Sequence, residues 1–180
     1  MIGNRPWIAL YSHTGSEIRN ISLRMNNAPD LIVTNSDRPA LLFEQSRGIP
    51  KKPTVDDYRS VFTLAGENPL ITLHGWMRII PEQICDEYEI YNLHPGLITD
   101  YPELKGKDPQ RRIFEMLNFP SHVGCVIHKA TAEVDSGEII MSRKVFNSYP
   151  SAKILTEVLH TMAGDMWVDF FEKELYLQDE

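Results

Sequence analysis

The chain has 180 residues, enough for one ordinary domain with a real core. Hydrophobic residues at 42% and charged residues at 24% match a soluble globular protein, and a formal net charge of -7 argues against the broadly basic face that tight nucleic-acid binding needs. The same balance still admits a small anionic ligand, because a local pocket can be positive on an acidic protein.

Residues 6–12, "PWIALYS", are a short apolar run of the buried-strand kind. The run is too short for a signal-peptide core, and no later stretch approaches a membrane span, so the cytoplasm is the expected location and no membrane partner is expected. Residues 13–27 follow with Ile18, Ile21 and Met25 at helical spacing. Thr14 and Glu17 have the S/T-x-x-E spacing of a capping box at the start of that helix. "DLIVTN" (30–35) reads as a second buried strand, and "RPALLFEQSRG" (38–48) as a helix ended by Gly48. "DDYRSVFTLAG" (56–66) reads as another helix ended by Gly66, and "PLITLHGW" (69–76) and "EIYNLH" (89–94) as two more strands.

Strand–helix alternation of this kind predicts a parallel sheet with helices on both faces. "KGKDPQRRIFEMLN" reads as a helix with Pro109 near its first turn. The pattern then changes. "HVGCVIHKAT" and "EIIMSRKVF" are extended runs joined by "AEVDSG", an antiparallel pair that ends the sheet, and residues 150–173 form a long closing helix. The expectation is an α/β fold: a single Rossmann-like domain over residues 1–180, with a mostly parallel twisted sheet, helices on both faces and an antiparallel strand pair near the C-terminal end.

Cys85 and Cys125 lie in apolar surroundings without a CxxC pair, so both read as buried small hydrophobes rather than disulfide or zinc ligands. His74, His122, His128 and His160 lack metal-ligand spacing, and no metal site is expected.

Three stretches carry candidate chemistry. In "YNLHPGL" (91–97), alternate strand residues share a face, so Asn92 and His94 point together while Tyr91 and Leu93 point oppositely. Pro95 and Gly96 end the strand there, and in open α/β sheets ligands bind at the carboxyl ends of strands. Burying two unpaired polar groups on one face would cost about 1–3 kcal/mol each, which favours a role for the pair. "VDSGE" (134–138) is an ordinary turn signature unless folding sets Asp135 beside His94. "SHTGS", comprising Ser12, His13, Thr14, Gly15 and Ser16, leads into a helix N-terminus, where free N–H groups favour phosphate or carboxylate; a simple cap explains it equally well. Neither a dinucleotide fingerprint nor a P-loop is present.

"ITLHGWMRIIP", "YNLHPGL" and "VDSGEII", in this order and at these separations, resemble the folate-dependent formyltransferase family, with similarity from about Leu70 to Val145. N-x-H-P followed some forty residues later by D-x-G carries the resemblance; neither motif alone does. The resemblance implies the formyltransferase fold and transfer of a formyl group from 10-formyltetrahydrofolate to a primary amine of a small phosphorylated substrate, glycinamide ribonucleotide first. An aminosugar nucleotide or another amine is the alternative acceptor, and a non-catalytic folate- or nucleotide-binding module the alternative role. It implies Asn92, His94 and Asp135 as catalytic residues, with Trp76, Met77, Arg78, Ile79 and Ile80 lining the folate pocket, mostly through backbone groups around Arg78. Thr131, Ala132, Glu133 and Val134 would close over the pterin, and Ser12 to Ser16 would hold a substrate phosphate. No metal or covalent intermediate is implied. The sequence departs from the family where Gly96 replaces the usual serine after His-Pro, and where "SHTGS" replaces a Gly-Asn-Gly-Ser loop. Glu17, next in line, would repel a phosphate unless turned away.

Overall fold

In a computed structural model, residues 2–37 and 46–176 of the chain are described. Seven strands make one sheet: β1 (Trp7–Tyr11), β2 (Leu31–Thr34), β3 (Ser46–Gly48), β4 (Leu70–Leu73), β5 (Ile90–His94), β6 (His122–Lys129) and β7 (Ile139–Phe146). Their spatial order is β3-β2-β1-β4-β5-β6-β7. The first five strands pair in parallel, whereas β6 runs antiparallel to β5 and β7 antiparallel to β6. Helices α1 (Ser16–Met25), α2 (Val55–Phe62), α3 (Glu82–Glu87), α4 (Pro109–Glu115) and α5 (Ala152–Tyr176) complete the fold.

Period-2 alternation sorts each central strand between two cores. Trp7, Ala9 and Tyr11 of β1 face Ile18 and Ile21 of α1 and Trp167, Phe170 and Phe171 of α5. Ile8 and Leu10 face the other way, toward Tyr58 and Phe62 of α2 and Ile84 of α3. Strands buried on both sides read as unbroken apolar runs, which is why β1, β2 and β4 are conspicuous in the sequence. Each large side chain so buried contributes roughly 1.5–3 kcal/mol of transfer free energy. Because β1 pairs with both β2 and β4, the winding reverses between β1 and β4. At such a switch point the loops after neighbouring strands diverge and leave a crevice at their carboxyl ends.

Several expectations need correction. Most of the helix expected over 38–48 lies outside the described residues, and Ser46–Gly48 form a three-residue strand instead. Residues Glu82–Glu87, over which no element is expected, form the short helix α3. The capping box at Thr14 and Glu17 does not form: Gly15 takes the N-cap with φ 68° and no side-chain cap bond. The box that does form joins Thr54 and Asp57 at the start of α2. Cys125 is buried, but Cys85 is only half-buried. Among the described residues, no helix is long and apolar enough to cross a membrane.

Candidate active site

Asn92 and His94 share one face of β5, with His94 5% exposed. Tyr91 and Leu93 point oppositely, into the core beneath α5. Asn92 pairs directly opposite His128 of β6, so the two side chains meet: Asn92 Nδ2 lies 3.1 Å from His128 Nε2. The β6–β7 connection is held together where the Lys129 N–H donates to Glu138 O at 2.9 Å. From there its loop folds back along the sheet and delivers Asp135, in the left-handed region at φ 49°.

Asp135, its side chain 9% exposed, is the hub of the cluster. Its Oδ2 lies 3.1 Å from His94 Nδ1 and accepts the Gly106 N–H at 2.8 Å. Its Oδ1 accepts from Asn92 Nδ2 at 3.3 Å and lies 3.3 Å from His128 Nε2. Burial alone would raise the Asp135 pKa, but bonds from His128, His94 and the Gly106 N–H, with the charge of His94, hold it well below the usual carboxylate range. The group is therefore an anion at neutral pH.

His94 Nε2 donates to Leu104 O at 2.9 Å, while Nδ1 faces the carboxylate. Acceptors stand at both ends of the ring, an arrangement that only an imidazolium satisfies fully. His128 Nδ1 donates to Lys129 O at 2.8 Å, and its Nε2 faces both Asn92 Nδ2 and Asp135 Oδ1, accepting from the amide when it bears no proton and donating to the carboxylate when it bears one. In the first case both amide hydrogens of Asn92 are used inside the cluster, one on His128 and one on Asp135. Protonation of His128 would turn its Nε2–H to Asp135 and release one Asn92 hydrogen. The availability of the Asn92 amide to a ligand therefore depends on its cross-strand neighbour.

The Ser12–Ser16 segment leaves β1 at the switch point. Ser12 Oγ accepts the Met77 N–H at 2.9 Å and the Ser12 N–H donates to Gly75 O at 3.3 Å, so this loop and the one after β4 are stitched together. Thr14 Oγ1 bonds Ser16 Oγ at 3.0 Å, and His13 and Thr14 are exposed. Glu17 is turned away, its Oε2 2.8 Å from His74 Nδ1. His74 Nε2 in turn meets Thr72 Oγ1 at 2.8 Å, which accepts the Trp7 indole N–H at 2.8 Å. The acid that threatened to repel an anion is thus drawn beneath the loop.

Along the Trp76–Ile80 segment, Trp76 and Ile80 are buried, whereas Met77, Arg78 and Ile79 are exposed. Trp76 donates to the Tyr58 hydroxyl at 3.2 Å, and Arg78 donates to the carbonyls of Lys51 and Met77. Thr131, Ala132, Glu133 and Val134 form the exposed approach to Asp135, with Thr131 Oγ1 donating to Glu133 O at 2.9 Å. The structure brings Asn92, His94 and Asp135 together. The Ser12–Ser16 loop sits two strands away, about 10 Å at the usual strand spacing.

Sequence reasoning set His128 aside; only the β5–β6 register puts it beside Asn92. Leu104 O and the Gly106 N–H are backbone groups and leave no residue signature. Neither cysteine is a poised nucleophile: burial pushes the Cys85 thiol up to about 11 and the Cys125 thiol up to about 12. Among the described residues, no group of three or more His, Cys, Asp or Glu is placed to hold a metal ion.

The family model "Formyl transferase" matches residues 21–160. A phosphoribosylglycinamide formyltransferase of Dictyostelium discoideum is 38% identical over 85 residues, 42% of this chain and 40% of that protein. The Escherichia coli (strain K12) enzyme of the same name is 32% identical over 78 residues, 42% of this chain and 34% of that protein. The matched stretch therefore spans less than half the length of either relative. Among solved structures, phosphoribosylglycinamide formyltransferase from Anaplasma phagocytophilum superposes with a TM-score of 0.76 at 22% identity, covering 91% of this chain and 82% of that one. The Coxiella burnetii protein, solved with CHES, gives 0.79 at 18% identity, covering 93% and 85%. These likenesses identify the fold as the Rossmann-like formyltransferase fold. With a family model matched over more than three quarters of its length, the chain belongs to the formyl transferase family.

Proposed function

We propose that the protein transfers a formyl group from 10-formyltetrahydrofolate to the primary amine of a small phosphorylated acceptor, glycinamide ribonucleotide. The observation that carries this reading is the convergence of Asp135 on His94 and Asn92, from a hairpin more than forty residues downstream. In formyl transfer the amine attacks the formyl carbon and the carbonyl pair moves onto oxygen. The carbonyl then reforms as the bond to the folate nitrogen breaks. The amine gives up one proton and the folate nitrogen gains one.

His94, held between two acceptors, supplies positive charge to the developing oxyanion. Asn92 adds an amide donor once His128 turns to Asp135; donors of this kind are worth roughly 2.7–4 kcal/mol. Asp135 keeps the imidazolium oriented and receives the amine proton, directly or through water, for return to the leaving nitrogen. Ser12 to Ser16 offers the acceptor's phosphate a helix N-terminus whose adjacent carboxylate is bound by His74. Trp76 to Ile80 and Thr131 to Val134 flank the donor. The bulkier loop with exposed His13 favours, as a second reading, an aminosugar nucleotide as acceptor.

The test is a steady-state assay following loss of the formyl-folate absorbance with glycinamide ribonucleotide and a panel of phosphorylated amines. Wild-type protein should turn over, and His94→Ala should lower kcat by about 10²–10⁴-fold while a folate analogue binds unchanged. Absence of both a thermal shift by folate analogues and any formylated amine overturns the reading.

A further inference from the structure

Arg112 of α4 stands behind the candidate site and donates to three successive backbone carbonyls. Nη1 bonds Glu103 O at 2.7 Å, and Nη2 bonds Leu104 O at 2.9 Å and Lys105 O at 2.7 Å. Its Nε is buried without a partner among the described residues, so the three carbonyls set the orientation of the fork. Leu104 and Lys105, which these bonds anchor, and Gly106, which follows, reach the catalytic cluster or the loop that bears Asp135. Leu104 O accepts His94 Nε2 at 2.9 Å, the Gly106 N–H donates to Asp135 Oδ2 at 2.8 Å, and Lys105 Nζ donates to Ser136 Oγ at 2.6 Å. Gly96 leaves room for this seat: a Cβ there would come within 3.0 Å of His94 Nε2 and 3.3 Å of Pro109 Cβ, at the start of α4.

We infer that Arg112 is a positioning residue that sets the His94–Asp135 geometry by holding the 103–105 carbonyls. With Leu104 O fixed, the Nε2 proton has one acceptor and Nδ1 is aimed at the carboxylate. Released, that carbonyl is free to turn to water, and the ring loses the contact that fixes its rotation. A planar guanidinium serves three carbonyls at once; a lysine ammonium at the same place serves fewer. The activity arm of this inference rests on the formyl-transfer reading above, but its spectroscopic arm does not.

The experiment compares Arg112→Met and Arg112→Lys with wild type, using ¹⁵N-histidine-labelled protein. In wild type the His94 Nε2–H should give a protected downfield resonance. In Arg112→Met it should be lost or displaced while the His74 and His128 signals and folate-analogue binding persist. kcat should fall about 10- to 100-fold with both KM values within about twofold, as expected for misplacement of a reacting group. Arg112→Lys should fall in between. If Arg112→Met does not fold, Arg112→Lys alone decides, by a displaced His94 resonance and a kcat lowered about fivefold or more. An unchanged His94 resonance, a defect confined to KM, or a folded variant in which the His74 and His128 signals are displaced as far as that of His94 overturns the inference. If wild type formylates no amine but the His94 resonance still depends on Arg112, the proposed reaction has failed and the positioning role stands.

Discussion

At the scale of single residues, a carbonyl oxygen and a carboxylate bracket the His94 ring, and Gly96 lies against its Nε2 edge. The absent Cβ is therefore a determinant of the ring's seat. Gly96→Ala, with a methyl 3.0 Å from Nε2, should push the ring off Leu104 O and lower kcat about tenfold or more in steady-state assays. Little change in kcat would mean that the pocket yields. The Asn92/His94 spacing was legible because two polar side chains on one face of an apolar strand demand partners. Asp135 was legible only through the family resemblance, since its triplet is also a common turn. His128 was not legible, because its relevance is a matter of cross-strand register. Leu104 O was invisible in principle, being main chain.

At the scale of elements, two helices show how one local motif meets two fates. Thr54 and Asp57 form a reciprocal box, whereas Thr14 and Glu17, at the same spacing, do not. The difference arises far along the chain, where His74 offers Glu17 a buried partner that outcompetes the cap. Thr54→Ala should cost about 1 kcal/mol in urea unfolding, and Thr14→Ala should stay within about 0.5 kcal/mol. Equal losses at both positions would show that α1 is capped in solution after all. Long apolar strands and the closing helix were readable from periodicity. The three residues of β3 were not, because a strand so short takes its identity from pairing with β2 rather than from its composition.

For the whole molecule, the buried carboxylate ties folding to pH. Asp135 has a folded-state pKa held below its unfolded value of about 3.9, so its contribution is present above that value and is lost as pH falls toward the folded one. Glu89 acts in the same direction: burial would raise it, but the Tyr91 hydroxyl and the Arg5 guanidinium lower it. The melting temperature should therefore drop on acidification below about pH 4, more steeply in wild type than in Asp135→Asn. Parallel curves for the two proteins would show that Asp135 titrates normally.

The ladder between β6 and β7 is irregular between Ile127 and His128, one position before the strand hands over to the loop bearing Asp135. Sheet faces alternate residue by residue, so slippage of β6 by a single step against β5 would exchange inside for outside. His128 would then look away from Asn92, and the returning loop would carry its acid off target. Chemical competence here is thus a matter of counting: the correct number of peptide units between two hairpin strands decides whether an anion arrives at all.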